Sequence, residues 1–125
     1  MDTRLEQIGS TRILRSHEQG PVLDGNGLRD LVGDALGNHA EWIAIPLQRL
    51  PPAFFELRSG MAGQWLQMLV NYRLRFAVLG DVSAYRAESE SLDAWITECN
   101  RGKDGCFVAD WNVLLARLPA PASAG

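Results

Sequence analysis

Phe54-Phe55-Glu56-Leu57-Arg58-Ser59-Gly60-Met61-Ala62-Gly63-Gln64-Trp65-Leu66-Gln67-Met68-Leu69-Val70-Asn71-Tyr72-Arg73-Leu74-Arg75-Phe76-Ala77-Val78-Leu79-Gly80-Asp81 decides the fold of this chain. Met61, Trp65, Met68, Leu69 and Tyr72 recur at helical spacing, and Leu66 and Val70 widen the apolar face, so the spacing predicts a mostly buried helix opened at Ser59-Gly60. Gln64, Gln67 and Asn71 share the remaining face. That face carries amides and no charge. It reads either as a helix packed on other backbone or as a surface for a partner or a second copy. Residues 74–79 are too apolar to alternate, the pattern of a parallel strand covered on both faces.

Outward from this stretch, residues 3–8 and 11–15 flank Gly9-Ser10 and predict a hairpin. Leu28, Leu31, Val32, Ala35 and Leu36 form a helical stripe, with Asp24 or Asn26 as its cap and Gly37-Asn38 as its end. Residues 42–45 make a strand stopped by Pro46, and Leu50-Pro51-Pro52 force an extended crossing into Phe54. Residues 82–88 read as a loop. Ser89 then caps a helix with Leu92, Trp95, Ile96 and Cys99 on one face, ending at Asn100-Arg101-Gly102. Residues 106–109 read as a last strand, Asp110 as a cap, and residues 111–118 as a closing helix with Val113, Leu114 and Leu118 inward. The order predicts a single α/β domain over residues 1–118: a hairpin, then alternating helices and strands in a mixed, mostly parallel sheet. Residues 119–125 are small, Pro-containing and uncharged, and read as a disordered tail.

With 125 residues, the chain is long enough to bury about two-thirds of its unfolded surface without disulfides or metals. Eleven arginines and Lys103 stand against fifteen acids, scattered rather than striped, which argues against nucleic acid. Cys99, Cys106, His17 and His39 match no zinc spacing, so neither metal nor cofactor is expected. Without an apolar run of spanning length or a signal-peptide start, the expectation is a cytoplasmic bacterial-type protein that does not enter the membrane.

Two resemblances attach to these residues. Phe54-Phe55-x-Leu57-x-Ser59-Gly60-x-Ala62-Gly63, Leu66-Gln67, Asn71-Tyr72, Ala77-x-x-Gly80-Asp81 and Glu98-x-Asn100-Arg101-Gly102 resemble a small bacterial family defined as a domain of unknown function. This chain has Gln64 and Met68 where that pattern carries Glu and Lys. More distantly, the element order and Ser59-Gly60 resemble the STAS domain of anti-sigma-factor antagonists and sulfate transporters. That resemblance implies a phosphorylated switch serine at Ser59, although Leu57 stands where those domains commonly carry Asp.

The residues themselves give Ser59 two readings. A hydroxyl at a helix start is an ordinary cap, and it also stands where free N–H groups would favour a phosphate or other anion. Asp81 and Asp110 each follow a strand, as turn residue and cap, or as members of a strand-end rim with Ser59, Gly60 and Gly80. Arg101 is a helix-end residue or an anion or partner contact. No Gly-x-Ser-x-Gly elbow, phosphate loop or dinucleotide fingerprint occurs. The leading expectation is therefore a non-enzymatic STAS-like module that binds a protein partner, a second copy of itself included. The alternative is a small-molecule or anion-binding protein, or an enzyme, working at the rim near Ser59 and Asp81.

Overall fold

In the computed structural model, which describes residues 3–118, strand order repeats sequence order. Strands β1 (Thr3–Ile8), β2 (Thr11–Ser16), β3 (Trp42–Pro46), β4 (Arg75–Leu79) and β5 (Gly105–Val108) form one sheet in the order β1-β2-β3-β4-β5. β1 pairs antiparallel to β2, and the remaining three pairings are parallel. The mixed, mostly parallel α/β architecture expected from the sequence is the one observed. The tail assigned to residues 119–125 lies outside the described residues.

Each parallel pairing needs a helical crossover. Helix α1 (Gly25–Gly37) joins β2 to β3, α2 (Met61–Asn71) joins β3 to β4, and α3 (Ser83–Glu88) with α4 (Glu90–Arg101) joins β4 to β5. Connections of one hand between successive neighbours put all their helices on one face. Leu14, Ile43, Ile45, Phe76, Val78 and Phe107 point to that face and pack against Leu28 and Val32 of α1, Trp65 and Leu69 of α2, and Leu92 and Ile96 of α4. The intervening strand residues Ile13, Trp42, Ala44, Ala77, Cys106 and Val108 face the other way. There they meet Leu114 of the closing helix α5 (Trp111–Arg117).

Three short 3-10 turns, Leu47–Arg49, Pro52–Phe55 and Leu57–Ser59, carry the chain from β3 to α2. The second turn delivers Phe54 into an aromatic cluster, with ring centroids 5.2 Å from Phe55, 5.9 Å from Trp65, 6.2 Å from Trp95 and 6.3 Å from Phe107. A buried ring in this setting typically contributes about 3 kcal/mol or more when compared with alanine. Phe55 stacks on Tyr85 of α3 at 4.1 Å. That stacking explains why residues 83–88, expected to be loop, form a helix turn and a half long.

Local chemistry fixes the helix ends. Asp24 accepts from the Gly27 N–H at 2.7 Å, Ser89 from Leu92 at 3.1 Å and Asp110 from Val113 at 2.9 Å, three side-chain caps that the sequence predicts. The far end of α1 closes differently from expectation, and α2 closes in the same way. Ala40 N–H bonds Ala35 O and His39 N–H bonds Leu36 O; Leu74 N–H bonds Leu69 O and Arg73 N–H bonds Val70 O. These are two complete Schellman closures. The left-handed residue is His39 (φ 56°) in one and Arg73 (φ 59°) in the other, while Gly37 stays helical. Tyr72 and Val113, expected to face inward, are 51% and 41% exposed: Tyr72 stands where the chain leaves α2, and in α5 Leu114 is the residue that enters the core.

The two sheet edges are finished differently. On β5, the carbonyls of Asp104 and Val108 accept from Phe76 and Gly80 of the β4 side, so Phe107, one residue out of phase, turns its N–H outward. Asn100 Oδ1 of α4 accepts that N–H at 2.7 Å.

Candidate functional site

Gly60, with φ 74°, occupies the N-cap position of α2, a left-handed conformation that glycine adopts without strain. Ser59 sits one residue earlier, at the end of the 3-10 turn. Its Oγ lies 2.6 Å from Ala53 O and 2.8 Å from Glu56 O, and it accepts the Met61 N–H at 3.1 Å. The hydroxyl is exposed but fully engaged: its one proton is held between two carbonyls and its lone pair serves the helix start. An oxyanion in that place would face both carbonyl oxygens.

The other rim candidates separate. Asp81 Oδ1 accepts the Ser83 N–H at 2.9 Å, and the Ser83 side chain, followed by this backbone bond, holds the Asp81 carboxyl below its usual range. Gly80 (φ 154°) lies against Leu47, where a Cβ would stand 2.5 Å from the leucine Cβ. Asp110 lines a cleft of about 320 Å³ at the strand carboxyl ends, together with Arg15, Glu18, Gln48, Leu79 and Trp111. Ser59, Gly60, Gly80 and Asp81 are not among its walls.

Two residues of this end escape sequence reasoning. Arg15 projects its guanidinium 4.0 Å over the Trp111 ring and pairs with Glu6 at 3.2 Å. Arg49 is 2% exposed and donates to Pro21 O (2.7 Å), His17 O (2.8 Å) and Ser16 Oγ (3.2 Å). Among the described residues no carboxylate pairs with it. The only sequence signal for either is an arginine set among apolar neighbours.

The amides of α2 are where the helical spacing puts them. Gln64, Gln67 and Asn71 are exposed with Gly63 and Tyr72, and Gln67 Nε2 donates to Asn71 Oδ1 at 2.8 Å. No residue of Met61–Asn71 is charged. Arg101 stands exposed at the end of α4, 3.5 Å from Glu98.

Both thiols are held protonated: burial, with the charges of Asp104, Cys106 and Glu98, pushes Cys99 up to about 11, and burial raises Cys106. Among the described residues no three His, Cys, Asp or Glu side chains converge as metal ligands, and no helix is long and apolar enough to cross a membrane.

These features define a small α/β domain with a neutral helix face and a shallow strand-end cleft. The family model of a domain of unknown function, DUF4180, matches residues 8–118, and the chain belongs to that family. No match is found among curated proteins or among solved structures.

Proposed function

We propose that this chain is a non-enzymatic, cytoplasmic interaction module of STAS-like type that docks a protein partner on the exposed face of α2. The observation that carries the reading is the composition of that face: Gly63, Gln64, Gln67, Asn71 and Tyr72 lie open on a helix without a single charge. Interface cores are depleted in charged residues and enriched in tyrosine, whereas an ordinary solvated helix face is rich in Lys and Glu. A partner gains amide hydrogen bonds here without stripping water from an ion.

The test is capture from the native host with the intact protein and with Gln64→Glu/Gln67→Arg. These substitutions on an exposed face should leave the circular dichroism spectrum unchanged. A partner retained by the native chain and lost by the variant supports the reading; identical capture by both overturns it.

One observation favours a second reading. The strand-end cleft brings Arg15, Glu18, Gln48 and Asp110 beside the Trp111 ring, polar groups next to a stacking surface. A small acidic or aromatic ligand there would raise the melting temperature, since saturation a hundredfold above the dissociation constant adds about 2.7 kcal/mol. A thermal-shift screen with phosphates, nucleotides and acidic metabolites, repeated on Trp111→Ala, tests it. A shift that persists in the variant rejects the cleft.

A further inference from the structure

The unequal finish of the two sheet edges points to self-association. Asn100 occupies one outward N–H of β5, that of Phe107. At the other edge, among the described residues, nothing bonds the outward backbone groups of β1. Which groups face outward follows from the turn. Gly9-Ser10 is a two-residue turn with Ile8 opposite Thr11, and such a turn closes on a hydrogen-bonded pair. Counting back by alternation, Ile8, Glu6 and Arg4 bond to β2. Thr3, Leu5 and Gln7 turn N–H and C=O to solvent.

We propose that this edge pairs antiparallel with the β1 edge of a second copy of the chain, about a two-fold axis at Leu5. The proposal does not rest on the α2 reading and uses a different surface. In this register Leu5 stands opposite the partner's Leu5, and Thr3 stands opposite the partner's Gln7, so every outward group on these three residues is bonded. Arg4 then stands opposite the partner's Glu6, at the closely spaced, non-hydrogen-bonded positions where side chains approach best. Moving the axis by one residue keeps outward groups paired but sets Arg4 against the partner's Arg4, or Glu6 against the partner's Glu6. Like charges directly opposite are destabilising. Of these three registers, the charge pattern of β1 favours the one centred on Leu5.

Side-chain exposure fits the same geometry. Arg4 is 70% exposed and lies 3.7 Å from Glu6 of its own strand, an approach that leaves it free to reach across the edge. Leu5 is 39% exposed on the face shared with Leu14, so pairing covers an apolar side chain that the monomer leaves in water. Two five-stranded sheets become one of ten strands, with both helical layers on the same side.

Sedimentation equilibrium of the full chain, from micromolar to near-millimolar concentration, is expected to give a monomer–dimer equilibrium. Arg4→Glu faces the partner's Glu6 with a like charge while meeting Arg15 across its own hairpin. It should weaken the dimer about tenfold or more without harming the fold. Leu5→Pro removes an outward N–H that β2 does not use and should give monomer with an unchanged circular dichroism spectrum. Hydrogen exchange on the unmodified protein gives a readout free of folding effects: the Thr3, Leu5 and Gln7 amides should gain protection as concentration rises. A native chain that stays monomeric throughout, a dimer unaffected by either folded variant, or a dimer whose three amides exchange as open edge groups would each overturn the proposal.

Discussion

Arg49 Nε donates to the Pro21 carbonyl at 2.7 Å, and through this guanidinium the turn after β3 holds the loop between β2 and α1. The loop carbonyls of His17 and Pro21 have the charge of Arg49 as their partner, and Leu23 N–H returns the tie by bonding Arg49 O at 2.7 Å.

Replacing Arg49 with methionine keeps most of the side-chain volume and leaves these oxygens without a donor. The expected loss is about 2–4 kcal/mol of stability, measured by urea unfolding, since each charged hydrogen bond contributes ~1.5–3 kcal/mol and the Ser16 hydroxyl stays buried. Arg49→Lys should recover only part of it, because an ammonium cannot span the acceptors as a planar fork does.

Ser59→Ala removes the bond to the Met61 N–H and the donation to Ala53 and Glu56, and should cost about 1 kcal/mol. Ser59→Asp should be less stable than Ser59→Ala, because its carboxylate meets two carbonyl oxygens. Chemical denaturation of the three proteins gives the ranking. An aspartate variant as stable as the native chain would mean that an anion is accommodated at this turn.

Arg73→Gly should stabilise the protein by about 0.5 kcal/mol. Arg73 holds φ 59° in a closure whose two backbone hydrogen bonds need no side chain, and glycine removes the strain of a Cβ there. A melting temperature raised by a few degrees is the expected readout.

The Cys99 thiol, pushed up to about 11 chiefly by burial, sets an alkaline limit. In the unfolded chain the thiol ionises near 9.0, while the folded chain keeps its proton, so stability is full below that value and falls as pH rises towards 11. Unfolding measured across this window should be less steeply pH-dependent in Cys99→Ala. At neutral pH a thiol reagent should modify native Cys99 far more slowly than the unfolded chain.

The fold was legible because its signals are local and agree. The two-residue turn at Gly9-Ser10, the caps at Asp24, Ser89 and Asp110, and the apolar runs of β3, β4 and β5 each specify an element without reference to distant residues. Where tertiary contact decides, the sequence was silent. The α3 turn depends on Phe55 stacking on Tyr85, thirty positions away, and Arg49 looks like any surface arginine until a loop closes around it. Of the candidate site, Gln64, Gln67 and Asn71 were legible because helical spacing alone puts them on one face. Ser59, Asp81 and Asp110 were each placed correctly at the start of a helix or the end of a strand. Which of them line the strand-end cleft was not, because that depends on how the elements pack in space, which local patterns do not encode.

Since every strand is laid down beside the one synthesised before it, the sheet can lengthen in step with its emergence from the ribosome, each strand adding to an edge already formed. The last edge carries its own stopper at Phe107. Asn100 precedes Phe107 in the chain, so the residue that caps this N–H has already been synthesised when the final strand arrives.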